Sequence, residues 1–383
     1  MSSLDRFAAE KLSSLEARQL RRHLAETARE DGITVSRDGQ RLLSFSCNDY
    51  LNLSQHPDVK EAAIAAIRRF GAGAGASRLV TGNHPLYAEL ESRLAKLKGT
   101  EAACVFGSGY LANAGIIPAL IGKDDLVLLD ELSHACLWAG TRLSRANLLV
   151  YRHNDLAHAE DLLKEHRPLH GRALIATDGV FSMDGDLAPL PGLADLAKRY
   201  DAWLLADDAH GLGVVGGGRG AAFAFGGKIE LPLQMGTLSK AAGGYGGYLC
   251  AARDVIDLVK NRARSFVYST GLPPATVAGA IAALDIIARG GDLVEAPLRK
   301  ARAFTAAAGL EEAQSPIVPV VLGETSRALE AAQMLERAGF LAVAIRPPSV
   351  PEGTARLRLT FTAAHPDQAI LKLATLVRGL VRR

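Results

Sequence analysis

Cysteine is scarce in this chain: Cys47, Cys104, Cys136 and Cys250 are spread through 383 residues, and no two of them stand in a C-x-x-C spacing. That excludes a disulfide framework or a zinc ribbon and leaves buried free thiols as the expected state. The ten histidines include no H-E-x-x-H and no other close ligand pair, which argues against a metal site. No uninterrupted apolar run reaches the roughly 18 residues of a membrane span. The first residues, MSSLDRFAAEKLSSLEARQLRRHL, carry charges at helical spacing and lack the apolar centre of a signal peptide, so a soluble cytoplasmic protein is expected. Neither sign of charge is in excess: 44 basic residues face 41 acidic ones, net +3, with no block of like charge, which argues against a nucleic-acid surface. Internal repeats and low-complexity tracts are missing too.

What is present is an ordinary globular composition, 48% hydrophobic and 22% charged, over a length that suggests about two domains. Short apolar runs alternate with helical stretches through the middle of the chain, the pattern of an α/β domain with a mostly parallel sheet. Candidate strands are AACVF (102–106), LVLLD (126–130), NLLVY (147–151), ALIATDG (173–179), WLLADDA (203–209) and YGGYLCA (245–251), with helices at 84–99 and 191–200 between them. After Gly290–Gly291 the order changes to a helix, PIVPVVL (316–322), a helix, FLAVAI (340–345), RLRLTF (356–361) and a terminal helix from about Pro366. This predicts an N-terminal helical segment over 1–43, a large domain over 44–289 and a smaller α+β domain over 290–383, the last joined by the N-terminal helix and packed to leave a cleft.

Ligands of open α/β sheets bind beyond the carboxyl ends of the strands, so polar residues just after strand candidates are the ones to inspect. GSGY (107–110) follows the first strand and leads into a helix whose free N–H groups suit a phosphate. His134 in ELSHA, Ser182 after ALIATDG, and Asp207 and His210 in DDAH follow the others. Taken singly, Gly-Ser-Gly is a common turn, His134 a satisfied loop histidine, and Asp-x-x-His a helix cap. The formal dinucleotide signature GLGVVG (211–216) is a decoy, because GGRGAAFAFGG after it makes no convincing helix to receive a pyrophosphate. One further segment, GTLSKAAGGYGGY (236–248), sets Lys240 between hydroxyl residues and glycines, a crowded polar space of phosphate size. A lysine, an aspartate and a phosphate anchor at one sheet edge fit pyridoxal 5'-phosphate (PLP). That cofactor needs an amine for its Schiff base, a carboxylate to keep its pyridine nitrogen protonated, and donors around its phosphate.

From about Ser44 to the C-terminus the chain resembles the α-oxoamine synthases, PLP enzymes that condense an amino acid with an acyl thioester. The segments that carry the resemblance are SCNDYLNLS, GAGASRLVTGNHPLYAELE, FGSGYLAN, SHAC, HNDLAH, TDGVFSMDGDLAPL, DDAHGLGVVG, GTLSKAAGGYGG, YSTGLPP and RPPSVPEGTARLRLTFTAAH. The resemblance implies fold type I of the PLP-dependent transferases, the aspartate-aminotransferase-like fold, with a mostly parallel seven-stranded sheet in the large domain.

Carried over motif by motif, Lys240 resembles the Schiff-base lysine and Asp207 the partner of the pyridine nitrogen. His210 resembles the residue that bonds the phenolic oxygen, His134 the imidazole stacked on the ring, and Ser182 a neighbouring polar contact. Ser108, Gly109 and Tyr110 with Thr237 resemble the phosphate cradle. Thr270 resembles a phosphate ligand given by the other subunit, which implies a homodimer with shared sites. Asn48 and Arg358 resemble the carboxylate-binding pair for the amino acid, while Arg346 and Arg21 or Arg22 are candidates for the acyl substrate. Cys47 and Cys136 stand where serine is expected, and Asn52 where glycine is usual. The last segment points to a member that joins L-alanine to a pimeloyl group carried on CoA or acyl carrier protein. Members using glycine with acetyl-CoA, the 5-aminolevulinate and serine palmitoyl activities, and a subunit that has lost catalysis are the alternatives.

Overall fold

The computed structural model describes residues 1–381. Its N-terminal segment is helical only in part. Helix α1 (Ser3–Ala17) is opened by a capping box between Ser2 and Asp5, yet it buries none of its side chains. Three strands follow, β1 (Ala28–Asp31), β2 (Thr34–Arg37) and β3 (Gln40–Ser44), paired antiparallel in order. Asp38 and Gly39, both at positive φ (49° and 75°), make the two-residue hairpin turn between β2 and β3. The expectation of a helical segment over 1–43 is therefore corrected: the Asp-Gly turn marks a hairpin, and the 43/44 division falls inside β3.

The central sheet contains β4 (Ala102–Phe106), β5 (Leu126–Asp130), β6 (Asn147–Tyr151), β7 (Ala173–Asp178), β8 (Trp203–Asp207), β9 (Leu233–Thr237) and β10 (Gly247–Ala251). Its seven strands run in the order β4-β10-β9-β8-β7-β5-β6, all parallel except β10, which is antiparallel to both neighbours. Strands β5, β7, β9 and β10 are buried at every position because helices cover both faces. β9 has no counterpart among the expected strands: in LQMGT the apolar residues are interrupted by Gln234 and Gly236, both poor strand formers. Helices α2 (Pro57–Phe70), α3 (Leu86–Lys98), α4 (Gly109–Leu120) and α5 (Ala135–Ser144) come from the first half of this domain.

Gly290 and Gly291, both at positive φ, break the chain between helices Pro274–Arg289 and Asp292–Ala308, and we place the start of the small domain there. Its sheet is β11 (Ile317–Gly323), then β14 (Ala355–Thr360) in the middle and β13 (Val343–Ile345) at the far edge, all antiparallel. FLAVAI, expected as one strand, divides at Ala342. Phe340–Leu341 forms β12, which pairs parallel with β3, while Val343–Ile345 turns to pair with β14. The N-terminal strands, and not the helix, thus knit the start of the chain to the C-terminal domain. Among the described residues no helix is long and apolar enough to cross a membrane.

Candidate active site

The carboxyl ends of β4, β8 and β9 and the start of β10 meet at one edge of the sheet. Ser108 is the N-cap of α4, its Oγ accepting the Leu111 N–H at 3.2 Å, so the free amides of that helix open toward the strand ends. The backbones here are close: a Cβ on Gly247 would lie 2.4 Å from the Ser108 carbonyl oxygen, and one on Gly109 would touch Met235 and Thr237 at 3.4 Å. The Thr237 and Ser239 hydroxyls share a 2.7 Å hydrogen bond beside this cradle, and the Tyr110 ring is about half exposed at its rim. After Lys240, Gly243 is left-handed (φ 64°), and a Cβ on it would sit 2.2 Å from the Ser54 nitrogen. The glycines around the lysine therefore serve close backbone approach.

Lys240 Nζ lies 2.7 Å from His210 Nε2, and His210 Nδ1 lies 2.7 Å from the Tyr50 hydroxyl. Tyr50 reaches Asn48 Oδ1 at 3.4 Å, which also accepts from Arg358 Nη1 at 3.1 Å. One hydrogen-bonded chain so links the amine to the carboxylate-binding pair expected from the sequence. Burial brings the Lys240 ammonium down to about 8, with Arg358 helping and Asp207 opposing. Burial and the charge of Lys240 hold His210 well below the usual imidazole range, so it is neutral. Burial raises the Tyr50 phenol to about 12, which keeps its proton in place. Arg358 Nε also donates to the Ser182 carbonyl, so Ser182 meets the site through its backbone, and Arg356 pairs with Asp184 in the same loop.

Asp207 ends β8 and is buried. No helix follows it, only turns through Gly216–Gly218 and Ala221–Phe223, so the helix-cap reading fails although Oδ1 accepts the Ala209 N–H at 3.0 Å. Oδ2 accepts from Asn113 Nδ2 at 2.7 Å and lies 3.6 Å from Cys136 Sγ. His134 is hydrogen-bonded within its loop, as a satisfied histidine there would be. It caps α5, its ring Nδ1 accepting the Cys136 N–H at 3.3 Å, and that ring is 2.8 Å from Cys136 Sγ beside Asp207. Burial, partly opposed by Asp207, lowers its pKa.

Tyr50, Asn113, Cys136 and Asp178 lie inside the matching motifs with no role implied for them there; the structure sets all of them within this network. The signal for Asn113 was its place one turn into the helix that starts with the cradle. Asn52 explains itself: it holds φ 54°, a left-handed conformation that asparagine tolerates where glycine is usual. Thr270 is exposed, bridged by backbone to Ser77. The arginines at the other end gather apart from the lysine. Arg346 Nη2 donates to the Arg21 carbonyl at 2.8 Å, Arg22 Nη2 to Ser349 Oγ at 2.9 Å, and Arg22 and Arg346 line a groove of about 500 Å³. Among the described residues no hydrogen bond ties them to the Lys240 chain.

A buried amine, a buried carboxylate and an anion cradle at one strand edge are the groups that PLP requires, and the residues present fit it. The aminotransferase class I and II family model matches residues 40–377. An 8-amino-7-oxononanoate synthase of Beijerinckia indica subsp. indica is 64% identical over 381 residues, covering 100% of this chain and 99% of that protein. One of Granulibacter bethesdensis is 59% identical with the same coverage. Among solved structures, the serine palmitoyltransferase of S. paucimobilis with bound PLP and myriocin superposes with a TM-score of 0.92 at 28% identity, covering 100% of this chain and 99% of that one. An 8-amino-7-oxononanoate synthase of Francisella tularensis superposes with a TM-score of 0.76 at 26% identity, covering 89% and 98%.

Proposed function

The chain belongs to the α-oxoamine synthases within the aminotransferase class I and II family, and from that premise we propose that it makes 8-amino-7-oxononanoate, a step of biotin biosynthesis. The reaction condenses L-alanine with a pimeloyl thioester, on CoA or acyl carrier protein, and releases carbon dioxide and the free thiol. The observation that carries it is the continuous chain from Lys240 through His210, Tyr50 and Asn48 to Arg358, which joins a buried amine to a guanidinium suited to an amino-acid carboxylate.

When bound at Lys240, PLP supplies an electrophilic carbonyl and a protonated ring able to take up the electron pair left at the amino-acid Cα. The chain's own residues do the rest. Arg358 and Asn48 hold the substrate carboxylate, the guanidinium suiting a two-pronged contact. Lys240, with its pKa near 8, is neutral in a useful fraction of molecules at neutral pH, so its Nζ can remove the Cα proton and later return one. His210 Nε2 holds that amine in place, and the Tyr50 hydroxyl fixes the imidazole from behind. Asp207 would meet the ring nitrogen with its carboxyl group, and His134 would cover the ring face. The acyl chain enters past Arg346 and Arg21 or Arg22.

The active form we infer is a cytoplasmic homodimer in which Thr270 reaches the partner's phosphate site. The exposed Leu79, Val80 and Tyr268 near it suit a subunit contact. Sedimentation should show a dimer that loses PLP on dissociation; a fully active monomer would refute this part. The activity itself is tested by following thiol and carbon dioxide release with alanine, glycine and serine against pimeloyl, acetyl and palmitoyl thioesters. Alanine with the pimeloyl donors should give the highest kcat/KM, and a preference for glycine with acetyl-CoA would replace the assignment.

A further inference from the structure

Asp207 has a second carboxyl beside it. Asp178 ends β7, Asp207 ends β8, and the two are direct partners in the parallel register, both buried. Two like charges on neighbouring strand ends in a dry interior cannot both persist, so the pair keeps one proton. The donors around each carboxyl decide where it stays. Asp207 receives Asn113 Nδ2 at 2.7 Å and the Ala209 N–H at 3.0 Å, with Cys136 Sγ at 3.6 Å; Asp178 receives the His134 N–H at 2.8 Å. Burial and the charge of Asp207 push Asp178 well above the carboxylate range.

Asn113 is fully buried, and its Oδ1 has no partner among the described residues. Its Nδ2 donates to Asp207 Oδ2 and lies 3.1 Å from Cys136 Sγ; turned over, the amide would instead set an oxygen against a charged Asp207. Its backbone is pinned as well: a Cβ on Gly140 of α5 would come 2.4 Å from the Asn113 carbonyl oxygen. Because a helix rises about 1.5 Å per residue, α4 sets this amide roughly 7 Å beyond Ser108, one end of the helix holding phosphate and the next turn holding Asp207. The other charged neighbours do not compete. Asp208 is paired with Lys98 at 2.5 Å, and Asp130 with His153 at 3.0 Å; Lys240, His134 and Cys136 face the pair from the remaining sides.

We propose that Asn113 is a positioning residue that assigns the single negative charge of the Asp178–Asp207 pair to Asp207, leaving the proton on Asp178 and the anion facing the cofactor nitrogen. This rests on PLP binding at Lys240. The test loads wild type and Asn113→Leu with PLP labelled with 15N in the ring and records the nitrogen resonance from about pH 6 to about 9, alongside PLP affinity by equilibrium dialysis. Wild type should show a protonated ring nitrogen throughout. In Asn113→Leu the resonance should move toward the neutral-ring position while PLP affinity changes by less than about tenfold. Adding Asp178→Asn to that variant should restore the protonated signal, because only Asp207 can then hold the charge; a merely structural asparagine would not be rescued so. Asp178→Asn alone should leave the wild-type signal intact, which keeps the test open if Asn113→Leu fails to fold. A folded Asn113→Leu with the wild-type resonance, a double variant without recovery, or loss of the signal in Asp178→Asn each overturns the assignment. Wild type that takes up no PLP would instead remove the cofactor reading on which the assignment stands.

Discussion

The two ends of the site are built differently. At the cofactor end, Asp207, His210, Asn113 and Tyr50 are buried side chains on or beside strand ends, and each is held by a partner distant in sequence. At the proposed acyl end, Arg21, Arg22 and Arg346 are partly or fully open to solvent, and the helix before the first two buries nothing. A parallel sheet fixes the first end to within a hydrogen bond, whereas the second rests on single contacts such as Arg346 to the Arg21 carbonyl. Chemistry at the reacting carbon needs the first kind of construction, and recognition of a long acyl chain on a bulky carrier tolerates the second.

The largest break of this contrast is Lys240→Ala. It should abolish all but a trace of turnover and let PLP pass through gel filtration without being retained, since covalent link and base go together. Wild-type apoprotein offers the matching pH test. Only the neutral amine reacts, so the rate of PLP uptake should rise with pH and level off above about 8, the value to which burial brings Lys240. A rise that continues to the ordinary lysine value of 10.5 would show that the amine is not desolvated.

Next in size is Asp207→Asn, which keeps the shape and removes the charge. Exchange of the alanine Cα proton in deuterated water, followed by NMR without any thioester, should slow by about two powers of ten, equivalent to roughly 3 kcal/mol. Wild-type exchange would mean that Asp207 is a strand-end fixture and that another group, Asp178 being its partner in the strand register, partners the ring.

How much of this was legible in the sequence follows the same division. Strand ends are signalled locally, by an apolar run and the polar residue that stops it, so Ser108, His134, Ser182, Asp207 and His210 could be picked out before any fold was known. Lys240 was legible through its glycines, although β9 just before it was not, because LQMGT owes its strand to burial between β8 and β10 and not to its own propensity. Asn113 and Tyr50 were invisible as functional residues for a related reason. Asn113 meets Asp207 across 94 residues and Tyr50 meets His210 across 160, so no local pattern records either contact. The β2–β3 hairpin is signalled by Asp38–Gly39, a local cue that the helical charge spacing in front of it outweighs.

Smaller effects should come from the residues that join the two ends. Arg358→Lys keeps the charge but loses the planar fork, and the KM for alanine should rise roughly tenfold or more with a smaller change in kcat. Tyr50→Phe removes the hydroxyl behind His210, a contact worth about 1 kcal/mol, or about fivefold in kcat/KM for alanine. An unchanged KM in Arg358→Lys would show that the substrate carboxylate sits elsewhere.

The smallest effects are expected at the acyl end, from Arg22→Ala and Arg346→Ala. Exposed charge contacts contribute about 0–1 kcal/mol, so each substitution should raise the KM for the pimeloyl thioester by less than about fivefold. The increase should shrink further with added salt, which screens exposed charges over about 10 Å at 0.1 M. Alanine Cα–H exchange should not change at all, because neither arginine is hydrogen-bonded to the Lys240 chain. Comparing the two variants also shows which side of the groove the acyl group follows: Arg346 sits on the segment after β13, Arg22 on the stretch after α1. If either variant slows Cα–H exchange, or costs a hundredfold in KM, the acyl end is as tightly built as the cofactor end, and the N-terminal segment must close over the site when the thioester binds.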